Sequence, residues 1–240
     1  MKRIFVKICG LTDYDDAAFA TEAGAEYLGF VLADSVRRIG LDDAATLIGR
    51  LRTCFGGEAP RMVAVVVNPS PEEMQTVSGI QCFDLVQVHH PAPELAAYRS
   101  VPWYPVLPLA VGGAKGLERA AEQEYRFAFW GTTDIVLGDA AVAGMAGGSG
   151  VRVATDAACA ARDFVHRAGK LFFLAGGLRP ETVLDVLGHI SPDGIDVSSG
   201  LEESPGRKSK EKIQVFLRHV REWEHQQDQA SKPLTGRRER

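Results

Sequence analysis

The sequence lacks the patterns that would place it in several classes of protein. Its four cysteines, Cys9, Cys54, Cys82 and Cys159, lie far apart, without a CxxC pair or a Cys/His spacing suited to a metal. No apolar run approaches the roughly 20 residues of a membrane-spanning helix, and the first residues form a strand pattern rather than a signal peptide. The net charge of -4 gives no basic excess for nucleic acid or an anionic membrane. We therefore expect a cytoplasmic protein with free thiols that binds neither nucleic acid nor membrane.

Internal repeats and long linkers are also lacking, which bears on the domain organisation. The 240 residues are 45% hydrophobic, enough for a large core, and length alone fits one α/β barrel or two small domains. The last segment, HQQDQASKPLTGRRER, is polar and basic and is predicted to be disordered. We expect a single domain over residues 1–224, followed by this tail over residues 225–240.

Short apolar runs recur along the chain between helical patterns. They are continuous rather than alternating, as in parallel strands buried on both faces. They predict strands at Ile4–Ile8, Tyr27–Leu32, Met62–Val67, Leu85–Val88, Tyr104–Leu109, Ile135–Leu137, Leu171–Leu174 and Gly194–Val197. Roughly eight βα units predict an α/β fold of the (β/α)8, or TIM, barrel type. A doubly wound sheet is the alternative, but ICGLTD after the first strand lacks the glycine fingerprint of that fold.

Several helices carry start signals in the sequence. Thr12 with Asp15 resembles a capping box, and Ser70 is predicted as an N-cap followed by Pro71 and Glu73. A further helix is predicted to begin at Pro180. The last helix shows one apolar stripe, made of Ile213, Phe216, Leu217, Val220 and Trp223.

In a barrel of this type the functional site lies at the carboxyl ends of the strands. Two glycine-containing loops follow the last two predicted strands there: Gly176-Gly177, and Ser198-Ser199-Gly200. Such loops can turn backbone N–H groups towards an anion, and barrels commonly hold phosphate at this place. Tight turns without a ligand are the alternative. The two loops together favour a phosphate site.

Polar side chains at other strand ends are candidates for chemistry. Cys9 is a buried inert thiol, a nucleophile or a general base, and Asp139 is a helix cap or a proton donor. Arg37 has a guanidinium suited to a carboxylate or phosphate, or it is a solvated surface residue. Gln87 is predicted to point into the barrel and His89 to contact a ligand, whereas His90 is expected to be solvated. The other three cysteines are interpreted as structural.

Taken together, the segments resemble the phosphoribosylanthranilate isomerase family. The resemblance extends to about Trp223 and rests on VKICGLT, GAEYLGFV, DSVRRI, VAVVVNPSPEE, DLVQVHH, GGSG, LAGGLRPETV and IDVSSGLEESPGRKS. The first and last segments are the most specific. The family isomerises N-(5'-phosphoribosyl)anthranilate by an Amadori rearrangement in tryptophan biosynthesis, without a metal or organic cofactor.

The resemblance also implies a role for individual residues. It makes Cys9 the general base that takes the proton from C2' of the sugar, and Asp139 the general acid that protonates the furanose ring oxygen. Arg37 would contact the anthranilate, and Gly177, Ser199 and Gly200 would cradle the phosphate. The resemblance leaves a monomer and a homodimer equally open.

Two other functions are compatible with the same fold. One is a barrel that has lost catalysis and binds a phosphorylated ligand, because VRVATDAA after GGSG departs from the family pattern. The other is an aminoaldose-phosphate isomerase related to the histidine-pathway enzyme, which uses two aspartates. Cys9 stands where that relative has its first aspartate, which argues against it.

Overall fold

The strands of the chain form a closed parallel barrel. The computed structural model describes residues 3–109, 131–139 and 155–231. Eight strands pair in sequence order and β1 closes the ring against β8. They are β1 Phe5–Cys9, β2 Tyr27–Val31, β3 Arg61–Val67, β4 Leu85–His89, β5 Trp103–Pro108, β6 Ile135–Asp139, β7 Leu171–Ala175 and β8 Gly194–Val197. The predicted (β/α)8 architecture is confirmed.

Helices lie between the strands around the barrel. In the described residues they are α1 Tyr14–Glu22, α2 Leu41–Phe55, α3 Pro71–Gly79, α4 Thr155–Arg167, α5 Val183–Ile190 and α6 Lys210–Ser231. Short 3-10 helices occupy Gly56–Glu58, Pro93–Ala97 and Ser199–Leu201. After β8, two short strands, β9 Glu202–Ser204 and β10 Arg207–Lys208, pair as an antiparallel hairpin. Among the described helices, none is both long and apolar enough to span a membrane.

The predicted helix starts are partly correct. The Ser70 side chain accepts from the N–H of Glu73, whose carboxylate accepts from the N–H of Ser70, so this capping box is confirmed. The prediction at Thr12 is wrong by one residue. Asp13 is the N-cap of α1, and the Thr12 hydroxyl instead donates to the carbonyl of Gly206.

Helix α5 begins later than expected, and helix α6 ends later than expected. Pro180 lies in a turn closed by the N–H of Thr182 on the carbonyl of Arg179, and helix α5 begins only at Val183. The apolar stripe of α6 is confirmed, with Ile213, Phe216, Leu217 and Val220 buried and Trp223 partly buried against the core. Helix α6 continues past residue 225 to Ser231, where a disordered tail was expected. Residues 232–240 lie outside the described residues.

The core is divided by the barrel wall. Alternate residues of each strand face outward and pack beneath the helices, as Val6 and Ile8 of β1 do. Inside the amino end of the barrel, the rings of Phe5, Tyr27 and Phe173 lie with centroids 5.6 to 6.0 Å apart. This aromatic packing fills the lower end of the barrel, so polar groups collect towards the carboxyl ends of the strands.

Candidate active site

One cavity opens at the carboxyl ends of the strands, and every predicted site residue lines it. They are Cys9, Arg37, Gln87, His89, Asp139, Gly176, Gly177, Ser198, Ser199 and Gly200. The structure therefore brings together residues from β1, β4, β6 and the loops after β2, β7 and β8. Cys54, Cys82 and Cys159 do not line this cavity, and all four cysteines are free thiols.

Cys9 ends β1 and projects into the barrel, where it is 8% exposed. Lys7 lies two residues earlier on the same face of the strand and is fully buried. Burial raises the pKa of the Cys9 thiol, whereas the charge of Lys7 and a hydrogen bond from it lower that pKa. Asp196 raises it and Lys208 lowers it, and the pKa is raised overall. Burial therefore outweighs the effect of Lys7 on the thiol.

Asp139 ends β6 and is 6% exposed. Gly138 before it faces the other side of the sheet, where a Cβ would lie 2.8 Å from the Phe172 ring. This close packing explains why a glycine precedes the carboxylate. Asp134 is exposed at the opposite end of β6 and does not line the cavity.

A hydrogen-bonded chain crosses the cavity floor from β5 to the end of β4. The Tyr104 hydroxyl donates to Gln87 Oε1 at 3.1 Å, and Gln87 Nε2 lies 3.0 Å from His89 Nε2. Burial, with the charges of Lys7 and His90, lowers the pKa of His89 to about 4. His89 is therefore neutral at pH 7, accepting from Gln87 at Nε2 and carrying its proton on Nδ1. His90 is exposed, as predicted.

Arg37 is not a solvated surface residue. Its Nε and Nη2 donate to the two carboxylate oxygens of Glu202 at 2.7 and 2.8 Å, and its side chain is 15% exposed. Lys208 donates to the same carboxylate at 2.9 Å and to the carbonyl of Ser198 at 3.2 Å. The β9–β10 hairpin thus supplies the carboxylate that holds Arg37 beside the cavity and the lysine that pairs with the same carboxylate.

The two glycine loops meet along one wall of the cavity. Gly176 and Gly177 have φ values of 105° and 66°, which favour glycine. A Cβ on Gly200 would lie 1.8 Å from the carbonyl oxygen of Leu178, so the loops after β7 and β8 touch through their backbones. Gly177 and Gly200 both line the cavity.

Four charged residues near the site were not predicted from the sequence: Lys7, Asp196, Glu202 and Lys208. Each is buried, and they form two ion-paired groups, Lys7 with Asp196 and Lys208 with Glu202. A charged residue inside a continuous apolar strand, as in FVKIC and GIDV, is the signal that could have found the first pair. In the described part of the chain, no group of His, Cys, Asp and Glu is arranged to hold a metal ion.

Comparisons with known proteins agree with this geometry. A complex of phosphoribosyl anthranilate isomerase with reduced 1-(o-carboxyphenylamino)-1-deoxyribulose 5-phosphate is similar with a TM-score of 0.68 at 26% identity, covering 91% of this chain and 99% of that one. The isomerase structure from Thermotoga maritima gives a TM-score of 0.74 at 28% identity, with coverages of 91% and 99%. A structure of monomers generated from the dimeric T. maritima protein gives 0.68 at 28% identity, with coverages of 91% and 98%.

The sequence relationship is equally extensive. The N-(5'-phosphoribosyl)anthranilate isomerase of Geotalea uraniireducens is 35% identical over 217 residues, which cover 90% of this chain and 98% of that protein. The sequence pattern of the family described as N-(5'phosphoribosyl)anthranilate (PRA) isomerase matches residues 6–219. The chain therefore belongs to the N-(5'-phosphoribosyl)anthranilate isomerase family, enzymes of tryptophan biosynthesis.

Proposed function

We propose that the cavity converts N-(5'-phosphoribosyl)anthranilate to 1-(2-carboxyphenylamino)-1-deoxyribulose 5-phosphate, with Cys9 as general base and Asp139 as general acid. The observation that carries the proposal is that a thiol and a carboxyl group, at the ends of β1 and β6, line one cavity with the two glycine loops. The proposal needs no cofactor.

The acid step opens the sugar ring. Asp139 donates a proton to the furanose oxygen, the C1'–O bond breaks, and the nitrogen lone pair forms an iminium at C1'. The Asp139 carboxyl group is 6% exposed, so little water competes with the substrate at this step.

The base step completes the rearrangement. The iminium acidifies the C2'–H bond, the Cys9 thiolate takes that proton, and the electron pair forms an enolamine. Addition of a proton at C1' and loss of the proton from the C2' hydroxyl then give the ketone at C2'. A thiolate of modest basicity suffices, provided that the cavity stabilises its charge.

The remaining cavity groups bind the substrate in this proposal. The N–H groups of Gly177 and Gly200, with Gly176, Ser198 and Ser199, hold the phosphate. Arg37 uses Nε and Nη2 on Glu202, which leaves its Nη1 edge for the anthranilate carboxylate. Neutral His89 and Gln87 offer polar contacts at the opposite side. A monomer and a homodimer both accommodate this site, since every group named comes from one chain.

The test is the fluorescence of phosphoribosylanthranilate generated in place and mixed with the purified protein. We expect enzyme-dependent loss of the substrate signal, and a decrease in kcat of at least about a hundredfold in Cys9→Ala and in Asp139→Ala. Cys82→Ala is the matched control, because Cys82 is also a free thiol that is 8% exposed but lies away from the cavity.

Other outcomes would identify a different function. Near-normal turnover in Cys9→Ala or Asp139→Ala would remove that residue from its role. Without turnover in the folded wild-type protein, thermal stabilisation by inorganic phosphate alone would favour a non-catalytic phosphate-binding barrel. Turnover of an aminoaldose phosphate instead would favour the histidine-pathway type of reaction.

A further inference from the structure

The first strand carries an ammonium group directly beneath the Cys9 thiol. Lys7 and Cys9 are two residues apart on β1 and so face the barrel interior together. Across the neighbouring strands, Lys7 is in register with Asp196 of β8, and Cys9 is in register with Gly29 of β2. Four residues of three adjacent strands therefore lie close together in the barrel interior.

Gly29 provides the space for this arrangement. A Cβ on Gly29 would lie 2.7 Å from Cys9 Sγ and 2.9 Å from Lys7 Nζ. Both atoms thus occupy the place that a side chain of β2 would fill. The missing Cβ allows the ammonium and the thiol to approach each other.

The Lys7–Asp196 pair is poorly explained by stability alone. Lys7 Nζ lies 2.8 Å from Asp196 Oδ2, with side-chain exposures of 0% and 6%. Transfer of both charges from water is so costly that such buried pairs are often no more stable than apolar residues of the same volume. Within the described residues, Asp196 Oδ1 has no hydrogen-bond partner at all, which adds to that cost. Stability therefore gives little reason for a charged pair at this position, and its place beside Cys9 points to a role in the site.

The charges around Lys7 indicate what that role is. Burial lowers the pKa of Lys7, but the Asp196 carboxylate with Cys9 and Tyr104 raises it well above its ordinary value, so the lysine stays charged. That fixed charge opposes the effect of burial on Cys9. The other ionisable groups that face this level of the barrel are Asp139, His89, Tyr104, Arg37 and Lys208.

We propose that Lys7 is a positioning residue that stabilises the thiolate of Cys9, that Asp196 holds Lys7 charged and in place, and that Gly29 leaves room for the contact. The inference rests on the proposed role of Cys9 as the base. In the base step the C2'–H bond breaks and an S–H bond forms, while Lys7 keeps its proton throughout. When the thiolate is neutralised, the ammonium remains paired with Asp196.

The test measures the ionisation of Cys9 directly. Iodoacetamide reacts with the thiolate, so the rate of Cys9 alkylation against pH, followed by peptide mass spectrometry, reports its pKa. The exposed Cys54 in the same protein is the internal reference. In Lys7→Met we expect alkylation of Cys9 at pH 8 to slow by about tenfold or more, because each unit of pKa above the pH lowers the thiolate fraction tenfold. The rate at Cys54 stays unchanged.

Two further variants separate charge from folding. Lys7→Met leaves Asp196 buried without its partner, so we add Lys7→Met/Asp196→Asn, which removes both charges. We expect this double variant to recover thermal stability relative to Lys7→Met, while Cys9 alkylation stays slower than in the wild type. Equal alkylation profiles in the wild type and the folded double variant would overturn the proposal.

Glycine variants provide a test that leaves all charges in place. Gly29→Ala inserts a Cβ against the thiol and the ammonium, whereas Gly194→Ala inserts one 2.6 Å from the Phe173 ring at the other end of the barrel. Both substitutions crowd the interior, but only Gly29→Ala should shift the pH dependence of Cys9 alkylation and of kcat. Equal shifts in the two variants would refute the role of Gly29. Slower alkylation of Cys9 in Lys7→Met, without isomerase turnover in the wild type, would support the effect of Lys7 on the Cys9 thiolate. It would also refute the proposed reaction.

Discussion

Glu202 joins two cations beside the cavity, and its removal provides a quantitative test of the site architecture. The carboxylate accepts two hydrogen bonds from Arg37 and one from Lys208, whose side chain is 0% exposed. Glu202→Gln keeps the shape but presents an amide N–H₂ to donors. Loss of one partner from a buried ion pair costs about 3–5 kcal/mol, because the other charge is left in a poorly solvated place.

The expected change in thermal stability follows from that free energy. For a chain of this length, each kcal/mol lowers Tm by about 2–4 °C, so Glu202→Gln should lower Tm by about 6–20 °C at pH 7. The assay is thermal unfolding followed by circular dichroism. Glu203→Gln is the matched control, because Glu203 pairs with Arg207 on the exposed side of the hairpin, with side-chain exposures of 51% and 75%. Such an exposed pair contributes at most about 1 kcal/mol.

The pH dependence gives a second signature of the same group. Burial raises the pKa of Glu202, but the hydrogen bonds and charges of Arg37 and Lys208 outweigh it, and the pKa lies below its ordinary value. Its contribution to stability is therefore present above about pH 4.3, the unfolded value, and is lost as pH falls through the folded pKa. Glu202→Gln should have a flatter stability curve over that acidic range.

Lys208 extends the test to alkaline pH. Burial lowers the pKa of Lys208, and hydrogen bonding and charge from Glu202 raise it, so the pKa falls further without Glu202. The destabilisation in Glu202→Gln should then shrink as pH rises towards about 10.4, because the folded lysine loses its proton below that ordinary value in both proteins. If Glu202→Gln lost no more stability than Glu203→Gln, the assignment of Glu202 as a buried link between two cations would be refuted.

Two other substitutions test separate parts of the cavity. His89 is neutral because its pKa is lowered to about 4, so the wild type should lose about 3 kcal/mol of stability as pH falls from 6.5 to below 4. His89→Gln should remove that loss in urea unfolding measured at pH 7 and pH 4, and an unchanged loss would show that other groups carry it. Gly200→Ala places a Cβ against the Leu178 carbonyl and should raise KM for the phosphorylated substrate at least about tenfold. Wild-type KM in a folded Gly200→Ala protein would argue against the phosphate site.

The sequence predicted the barrel and the position of its cavity because both follow from short-range patterns. Continuous apolar runs mark parallel strands, and residues directly after such runs must lie at one rim. That reasoning placed Cys9 and Asp139 in the same cavity although 130 positions of chain separate them. The start of α1 was missed by one residue because Thr12 and Asp13 are both good N-caps, and only the contact of Thr12 with Gly206 decides between them.

The buried charges could not be predicted in the same way. Lys7 and Asp196 are separated by 189 positions in the chain, and Arg37 and Glu202 by 165. Such pairs depend on the register of β1 against β8 and on the hairpin after β8, which no local pattern specifies. Similarly, polar composition after residue 225 suggested disorder, whereas the long helix α6 continues there to Ser231.

Because β8 is the last barrel strand to be synthesised, its contact with β1 can form only late. The ring closes only when the last barrel strand docks on the first, and Lys7 meets Asp196 across that seam. Helix α6 then fastens the closure, since Glu224 accepts from the N–H of Ile4 and Arg221 donates to its carbonyl. A nascent chain that ends before Gly194 contains Cys9 and Lys7 but not the carboxylate that anchors the lysine. Lys7 is therefore anchored beside Cys9 only once the ring is closed, so the completed circle, rather than any single segment, fixes the charge next to the thiol.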